Sequence, residues 1–511
     1  MPTQVPNVLT EVAAPVDDLF KNLMGFVDKH YYQRKFLHNV YWDYWKGDQR
    51  KYQKKYPGEL DVEYMTRIEN SHVENHCRPT SNINVAYMYG MADKISRRAE
   101  DPLLHKLLNE DVYDLNHMPS LMVDARLMAS VIGFSVIEPM VFNKLTRKPF
   151  NPEDSITEKT FSVFYSLTDS TTIIPLPRVY DRRTLGMIIK YYEIDNIDSF
   201  KYLGLTKEFD TSKEYRVLEY VDDDLWLRWI HPKNEPEQKE LLPVFQIPGK
   251  ENINIYGDVR IPFVVFKNYG DPMHIEGESD IEDVIPLQLN LNERLTDDAN
   301  IIRYHALPII KALRGAKLPK NFVRKPNMVL EFDGEGDMDY LTWDAPMDAS
   351  DKYKAQLRQS LAQSSQVSTL SRGNLRDVGQ LKTGIGVKSL YVPDILGVRL
   401  RRPFALRAEK ELILATAKMY EHYTNIKFSS YRSEVIYPED FIGIDEWMET
   451  QVTAAEIAAG LPIQDRLKTR YPDKSDKEIE ELARVVMEEA KKSKQPKQTS
   501  PSSERKQAEK E

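Results

Sequence analysis

Two short stretches carry the residue types of metal or acid–base chemistry. His72-Val73-Glu74-Asn75-His76-Cys77 sets two imidazoles four residues apart, with a thiol beside the second. Zinc accepts such ligands, but a structural site wants four, and Cys77 is the only cysteine in the chain. Glu74 is not adjacent to His72, so the order also breaks the H-E-x-x-H pattern. A solvated or partly packed helix is the plainer reading. Tyr220-Val221-Asp222-Asp223 matches the tyrosine-x-Asp-Asp turn of reverse transcriptases, where paired carboxylates hold two metal ions. A third carboxylate on a nearby strand and basic fingers are not evident, and acidic residues are ordinary turn formers. No G-x-x-x-x-G-K-[ST] or G-x-S-x-G sequence occurs, which argues against a nucleotide-driven motor and a serine hydrolase. These readings together favour a non-enzyme with no cofactor and no metal.

Composition narrows the partners. Of 511 residues 41% are hydrophobic and 29% charged, an ordinary balance for a folded protein, and the length suggests two to four substructures. The net charge of −9 excludes a basic nucleic-acid coat, so any contact with DNA must be local or weak. One cysteine excludes an intramolecular disulfide and fits a reducing compartment. No apolar run approaches the roughly 18 residues of a membrane span, and no signal peptide is expected at MPTQVPNVLTEV.

The elements that must position any site centre on Gly277 to His305, GESDIEDVIPLQLNLNERLTDDANIIRYH. Apolar residues recur at Ile281, Val284, Ile285, Leu291, Leu295 and Ile302, a thin stripe at helical period. Ser279 and Glu282 predict a capping box, and Pro286 a bend or a late start. So thin a stripe should pack against copies of itself or against one return helix. That return is Asp348 to Ser364, with Tyr353, Leu357 and Leu361 four apart. Between the two, the segment is basic through Leu330 (Lys311, Arg314, Lys317, Lys320, Arg324, Lys325) and then acidic (Glu331, Asp333, Glu335, Asp337, Asp339). The split implies two adjacent strands or faces of opposite sign, pairing between subunits or touching DNA.

Before this hairpin, residues 1–16 read as an extended arm and Asp17 to Gly47 as a helix ending in the aromatic cluster Tyr41-Trp42-Asp43-Tyr44-Trp45, a packing anchor. Residues 58–145 read as mostly helical, with helices over Asn82–Arg97 and Ser120–Phe134 and a strand over Phe134–Phe142. The runs Phe161–Leu167, Met187–Glu193, Glu214–Tyr220, Leu225–Ile230 and Ile261–Lys267 read as antiparallel strands, with turns at 168–170 and 222–224. After the hairpin, residues 365–386 are rich in Gly, Ser, Thr and Gln and read as a loop. A long helix to Tyr423, interrupted by Pro393 and Pro403, leads to a strand at Glu434–Tyr437. Helices follow over Asp445–Ala459, Ile463–Arg470 and Asp476–Lys492, the last with a capping box at Ser475 and Glu478, and a disordered tail from Ser493.

Five fragments in order carry a family resemblance over nearly the full chain: Tyr44-Trp45-Lys46-Gly47; Arg78-Pro79-Thr80-Ser81-Asn82; Ile261–Asn268 followed by Gly277-Glu278-Ser279-Asp280-Ile281; Thr383-Gly384-Ile385-Gly386-Val387-Lys388; and the Ala-Gly-Leu-Pro-Ile turn at 459–463. In this order they resemble the portal proteins of tailed bacteriophages of the long-tailed type, although Gly386 replaces the family's usual Ala. The resemblance implies an α+β portal fold whose subunits form a ring, usually of twelve, at one capsid vertex. Residues 1–275 with about 387–440 would be the wing, 276–305 and 348–364 the stem hairpin, 306–347 a small α/β clip, 441–492 a helical crown and 493–511 a tail. Segment 365–386 would hold the tunnel loop and the start of the long helix. Ser371, Arg372, Asn374, Arg376, Gln380, Lys382 and Thr383 would lie nearest double-stranded DNA; Asn290, Asn292, Arg294 and Arg303 are the stem candidates. The clip residues Lys311 to Glu335 named above would meet partners. Implied partners are further copies of the chain, the packaging terminase ATPase, major capsid and scaffolding proteins, and head-completion or adaptor proteins, with no membrane.

Overall fold

A computed structural model describes residues 16–91, 94–145, 148–149, 157, 160–194, 214–242, 244, 254, 261–306, 309–313, 337–341, 348–368, 371, 391–424 and 426–438, with a few positions between 464 and 484. The chain divides into two compact units, Met1–Tyr437 and Pro438–Glu511. In the second, Ile479 and Ala483 sit one turn apart on helical backbone and both are buried.

Helix α1 (Val16–Lys46) opens the first unit. Its stripe Phe20, Leu23, Val27 and Tyr31 is buried against Ile174, Ile189, Tyr191, Leu218, Tyr220, Leu227 and Trp229. Those residues form one face of an antiparallel meander: β5 (Ile173–Pro177), β6 (Leu185–Ile194), β7 (Tyr215–Val221), β8 (Trp226–Pro232) and β9 (Glu240–Leu242), in that order. Gly47 ends α1 at φ +94°, a backbone conformation that costs glycine little. There the N–H of Asp48 donates to Asp43 O at 2.8 Å and that of Gly47 to Tyr44 O at 3.3 Å, closing the last turn. Tyr41 and Tyr44 are buried, so the aromatic cluster packs as an anchor.

Helix α2 (Asp61–Glu69) precedes a stretch without regular secondary structure, 71–76, and α3 (Cys77–Tyr89). The expectation of one helix over Asn82–Arg97 is corrected: α3 stops at Tyr89, and Ser96–Ala99 is a strand, β1, paired with β13 (Ser433–Ile436). A strand lets the buried Arg97 donate through Nε to Glu409 at 2.6 Å, and Glu409 also accepts from the hydroxyls of Tyr89 and Tyr437 at 2.8 and 2.6 Å. Helix α4 (Pro102–Leu107) runs through a π turn, Leu108–Val112, to Leu115. Helix α5 (Met118–Ile132) then leads into β2 (Phe134–Asn143). Strand β2 pairs with β3 (Lys148–Pro149), β4 (Phe161–Thr168) and β10 (Val264–Lys267), all antiparallel. The expected strand over Ile261–Lys267 thus begins three residues late.

The hairpin consists of α6 (Val284–Ala306) and α7 (Asp348–Ser364), which pack together, with β11 (Ile309–Leu313) and β12 (Asp337–Leu341) paired antiparallel between them. The late start foreseen at Pro286 is present, and α6 spans roughly 34 Å at 1.5 Å per residue. The capping box at Ser279 is not formed. Its hydroxyl donates to Val131 O at 2.6 Å and accepts from Ile281 N at 3.2 Å, and residues 280–283 form turns ahead of the helix. Helix α8 (Val392–Tyr423) carries Pro393 in its first turn and Pro403 in its interior. Val16, expected at the end of the arm, is the first residue of α1; residues 1–15, the helix expected over 445–459, Ser475 of the expected box and the tail 493–511 lie outside the described residues.

Candidate functional site

The root of the hairpin gathers a set of buried polar side chains that join distant parts of the chain. Gln288, Asn292 and Thr296 are all buried on one side of α6. Gln288 Oε1 accepts from His76 N at 2.9 Å, Asn292 Oδ1 from Glu74 N at 3.0 Å, and Thr296 Oγ1 from His72 N at 3.2 Å. Gln288 Nε2 returns a bond to Glu74 O, and Asn292 Nδ2 donates to Gln49 Oε1 at 2.6 Å. Two repeats coincide here. Every fourth residue of a helix rises about 6 Å. Alternate amides on one edge of an extended chain repeat every ~6.6 Å. Three side chains of α6 therefore bind three alternate amides of segment 72–76.

This ladder corrects the helix expected at His72–Cys77: residues 72–76 form no helix, their alternate N–H groups bond to α6 instead of to a preceding turn, and α3 begins only at Cys77. Helix α7 clamps the same segment from the other arm of the hairpin. Arg358 donates through Nε and Nη2 to both oxygens of Glu74, at 3.0 and 2.7 Å. His76 Nε2 lies 2.7 Å from Glu74 Oε1. Hydrogen bonds from His76 and then Arg358 outweigh burial and hold the Glu74 carboxyl at about 2. Within the hairpin, Ser350 and Lys354 of α7 bond to Asp298 of α6.

Ahead of α6 lies a second joint, the fully buried Asp280. Its carboxylate accepts from Arg401 Nε and Nη2 at 3.0 and 2.6 Å, Asn268 Nδ2 at 2.7 Å, Ser130 Oγ at 2.5 Å and Asn84 Nδ2 at 3.1 Å. Burial alone would raise this carboxyl; the adjacent Arg401 and Arg126 reverse that and leave it below the usual range. Burial pushes Arg126 down to about 10. The backbone makes room for the joint. A Cβ on Gly133, at φ +108°, would come 2.3 Å from Gly277 O, and one on Gly277 would come 2.4 Å from Gly133 O. Asp280 N donates to Ser130 O at 2.8 Å, so the turn before α6 also satisfies carbonyls at the end of α5.

Two turns ahead of Arg401 on α8, the buried Asp394 accepts from Ser368 N at 2.8 Å, Ser368 Oγ at 2.7 Å and Ser371 Oγ at 2.7 Å. Ser371 Oγ also lies 3.2 Å from the Tyr87 hydroxyl. Of the residues expected nearest DNA, Ser371 thus sits half-buried at the start of the loop segment, bonded to α8. Arg372, Asn374, Arg376, Gln380, Lys382 and Thr383 lie outside the described residues. So do Arg314, Lys317, Lys320, Arg324, Lys325, Glu331, Asp333 and Glu335, whereas Lys311 lies opposite Asp339 in the β11–β12 register. Among the stem candidates Arg294 is exposed and Asn290 half-buried, but Asn292 is buried in the ladder.

The two motifs that suggested chemistry have structural partners instead. Asp222 accepts from the Tyr220 hydroxyl at 2.7 Å and from Asp224 N and Leu225 N at 2.8 and 2.6 Å, in the turn between β7 and β8. Asp223 accepts from Arg178 Nη2 at 2.6 Å. No group of three His, Cys, Asp or Glu able to hold a metal ion occurs among the described residues. None of the described helices is long and apolar enough to cross a membrane.

The described residues thus form a mixed α+β body with a helical hairpin rooted in it through buried polar joints. A family model described as phage portal protein, SPP1 Gp6-like, matches residues 27–431, well over half of the chain, and the protein belongs to that family. The family is structural rather than enzymatic. No curated protein matches the chain.

Proposed function

We propose that the protein forms a closed ring at one capsid vertex, the channel through which double-stranded DNA is packaged and ejected and the dock for the packaging ATPase and head-completion proteins. The observation that carries this reading is the hairpin of α6 and α7 in a chain of the portal family, rooted by the Gln288–Asn292–Thr296 ladder and the Asp280–Arg401 pair. A helix anchored on one side, with Ile302 exposed and Ile285, Leu287, Leu289 and Leu295 only partly covered, suits a position beside neighbours around a ring. In this reading 276–305 and 348–364 are the stem, 306–347 the clip, 1–275 with 387–440 the wing and 441–492 the crown. The segment after Ser371, poor in charge, is a sleeve for sliding DNA. Dense phosphate clamps would grip in a salt-dependent way and oppose movement; Arg372, Arg376 and Lys382 make only passing contacts. Lys311 to Lys325 and Glu331 to Glu335 give the clip faces of opposite sign that pair between subunits.

Mass measurement with negative-stain imaging of the purified protein tests this. Twelve 59.5-kDa subunits make a ring of roughly 714 kDa. A chain that stays monomeric or dimeric under all conditions sinks the proposal. Replacing Asp222 and Asp223 together by Asn should leave ring assembly and packaging intact; loss of packaging with intact rings would instead favour chemistry at that turn.

A further inference from the structure

Helix α2 is inside out. Leu60, Val62 and Met65 are 65%, 77% and 57% exposed, while the helix's one buried residue is its only base, Arg67. Arg67 turns inward, donating to both oxygens of Glu59 at 2.8 and 3.0 Å and to Lys54 O at 2.7 Å, beneath the Tyr56 ring. What α2 presents outward is apolar and acidic: Val62, Met65 and the exposed Glu69 stand at i, i+3 and i+7, on one side of the helix.

The first three turns of α8 have the opposite sign. Val392, Leu396 and Leu400 are about half exposed at i, i+4 and i+8. The one acid there, Asp394, is buried against Ser368 and Ser371, and Arg399 is exposed beside Leu396 and Leu400. Each helix thus hides the charge that would oppose the other and exposes an apolar stripe flanked by the complementary one.

A single copy cannot close a ring with one self-complementary patch. A rotational assembly needs two different surfaces that fit each other, one on each side of the subunit. We infer that the α2 face of one copy docks on the N-terminal turns of α8 of the next, with Met65 and Leu396 in the apolar contact and Glu69 facing Arg399. The inference rests on the ring reading above and names the surfaces that would build it.

The test uses the full chain. Glu69→Arg or Arg399→Glu alone should shift most of the protein from rings to monomers in sedimentation, and the two together should restore rings. Met65→Cys combined with Leu396→Cys should give, on oxidation, a ladder of covalent dimers, trimers and higher species, because a head-to-tail contact continues around the ring. The native Cys77 is fully buried and contributes no background. Rings that form undiminished with Met65→Asp, or that give no ladder, overturn the contact while leaving the ring reading standing. A wild-type chain that forms no ring overturns both. If Met65→Asp lowers the melting temperature of the isolated monomer, the face is covered by the same chain and the inference fails.

Discussion

Helices α1 and α6 are both long, and they are held by opposite means. Helix α1 lays Phe20, Leu23, Val27 and Tyr31 on an apolar sheet face, where burial is non-directional and tolerates small shifts. Helix α6 has Ile281 and Val284 buried before and at its start and Leu291 buried within it, but along its length it is also held by Gln288, Asn292 and Thr296 on specified backbone amides. Hydrogen bonds fix distance and direction, so the hairpin has one register on the body. The contrast teaches that the layer of α1 on its sheet is packed and the hairpin is keyed.

The largest effect is expected at the keyed end. Asp280→Ala strands the buried guanidinium of Arg401 and should cost about 3–5 kcal/mol in denaturant unfolding. Removing both charges, Asp280→Leu with Arg401→Met, should recover the part of that loss due to the stranded Arg401 guanidinium, while Arg126, Asn84, Asn268 and Ser130 still lack the carboxylate. If the double variant is as unstable as the sum of the singles, the pair is not the joint described. At the packed end, Leu218→Ala, beneath α1, should cost about 2–5 kcal/mol.

The rungs come next. Asn292→Leu preserves volume yet orphans Glu74 N and strips Gln49 of its donor, at a cost of about 1–3 kcal/mol. The neighbouring Asn290→Leu, half-buried and outside the ladder, should change stability by no more than about 0.5 kcal/mol. Faster amide exchange at Glu74 and His76 in the first variant alone would confirm that a hydrogen-bond key, and not packing, sets the register.

What was legible in the sequence divides along the same line. The stripe of α1, the alternation of the meander strands and the α6–α7 hairpin all follow from apolar period, and Gly47 and Pro286 marked their ends. The ladder was not legible, because Gln288, Asn292 and Thr296 at four-residue spacing look the same on a solvated face as on a buried one. What distinguishes them is the amide edge of 72–76, which is more than two hundred residues away in sequence. For the same reason Asn292 read as a channel candidate and His72–Cys77 as a helix. Asp280 lay in plain view inside the Ser-Asp-Ile fragment. Its partner Arg401 sits among other arginines at 399 and 402, and only the fold selects which of the three turns inward.

The smallest effect sharpens the comparison most, because it tests whether the key can be loosened without disturbing packing. The Arg358–Glu74 contact joins α7 to the ladder segment at a site where the carboxylate is about a third exposed, so solvent screening limits its contribution to below about 1 kcal/mol. The sign is set by the direction of the shift. Glu74 titrates at about 2 in the folded chain against an ordinary 4.5, so the unfolded chain takes up its proton first. Its contribution is therefore complete above pH 4.5 and declines as the pH falls toward 2. The stability difference between wild type and Glu74→Gln should shrink over that window, and Arg358→Ala should reduce that dependence while leaving the part that His76 supports, with Leu218→Ala showing no such dependence. A difference that stays constant down to the acid limit would mean that Glu74 does not key α7 to the 72–76 segment, and the distinction between a keyed hairpin and a packed α1–sheet layer would then rest on α6.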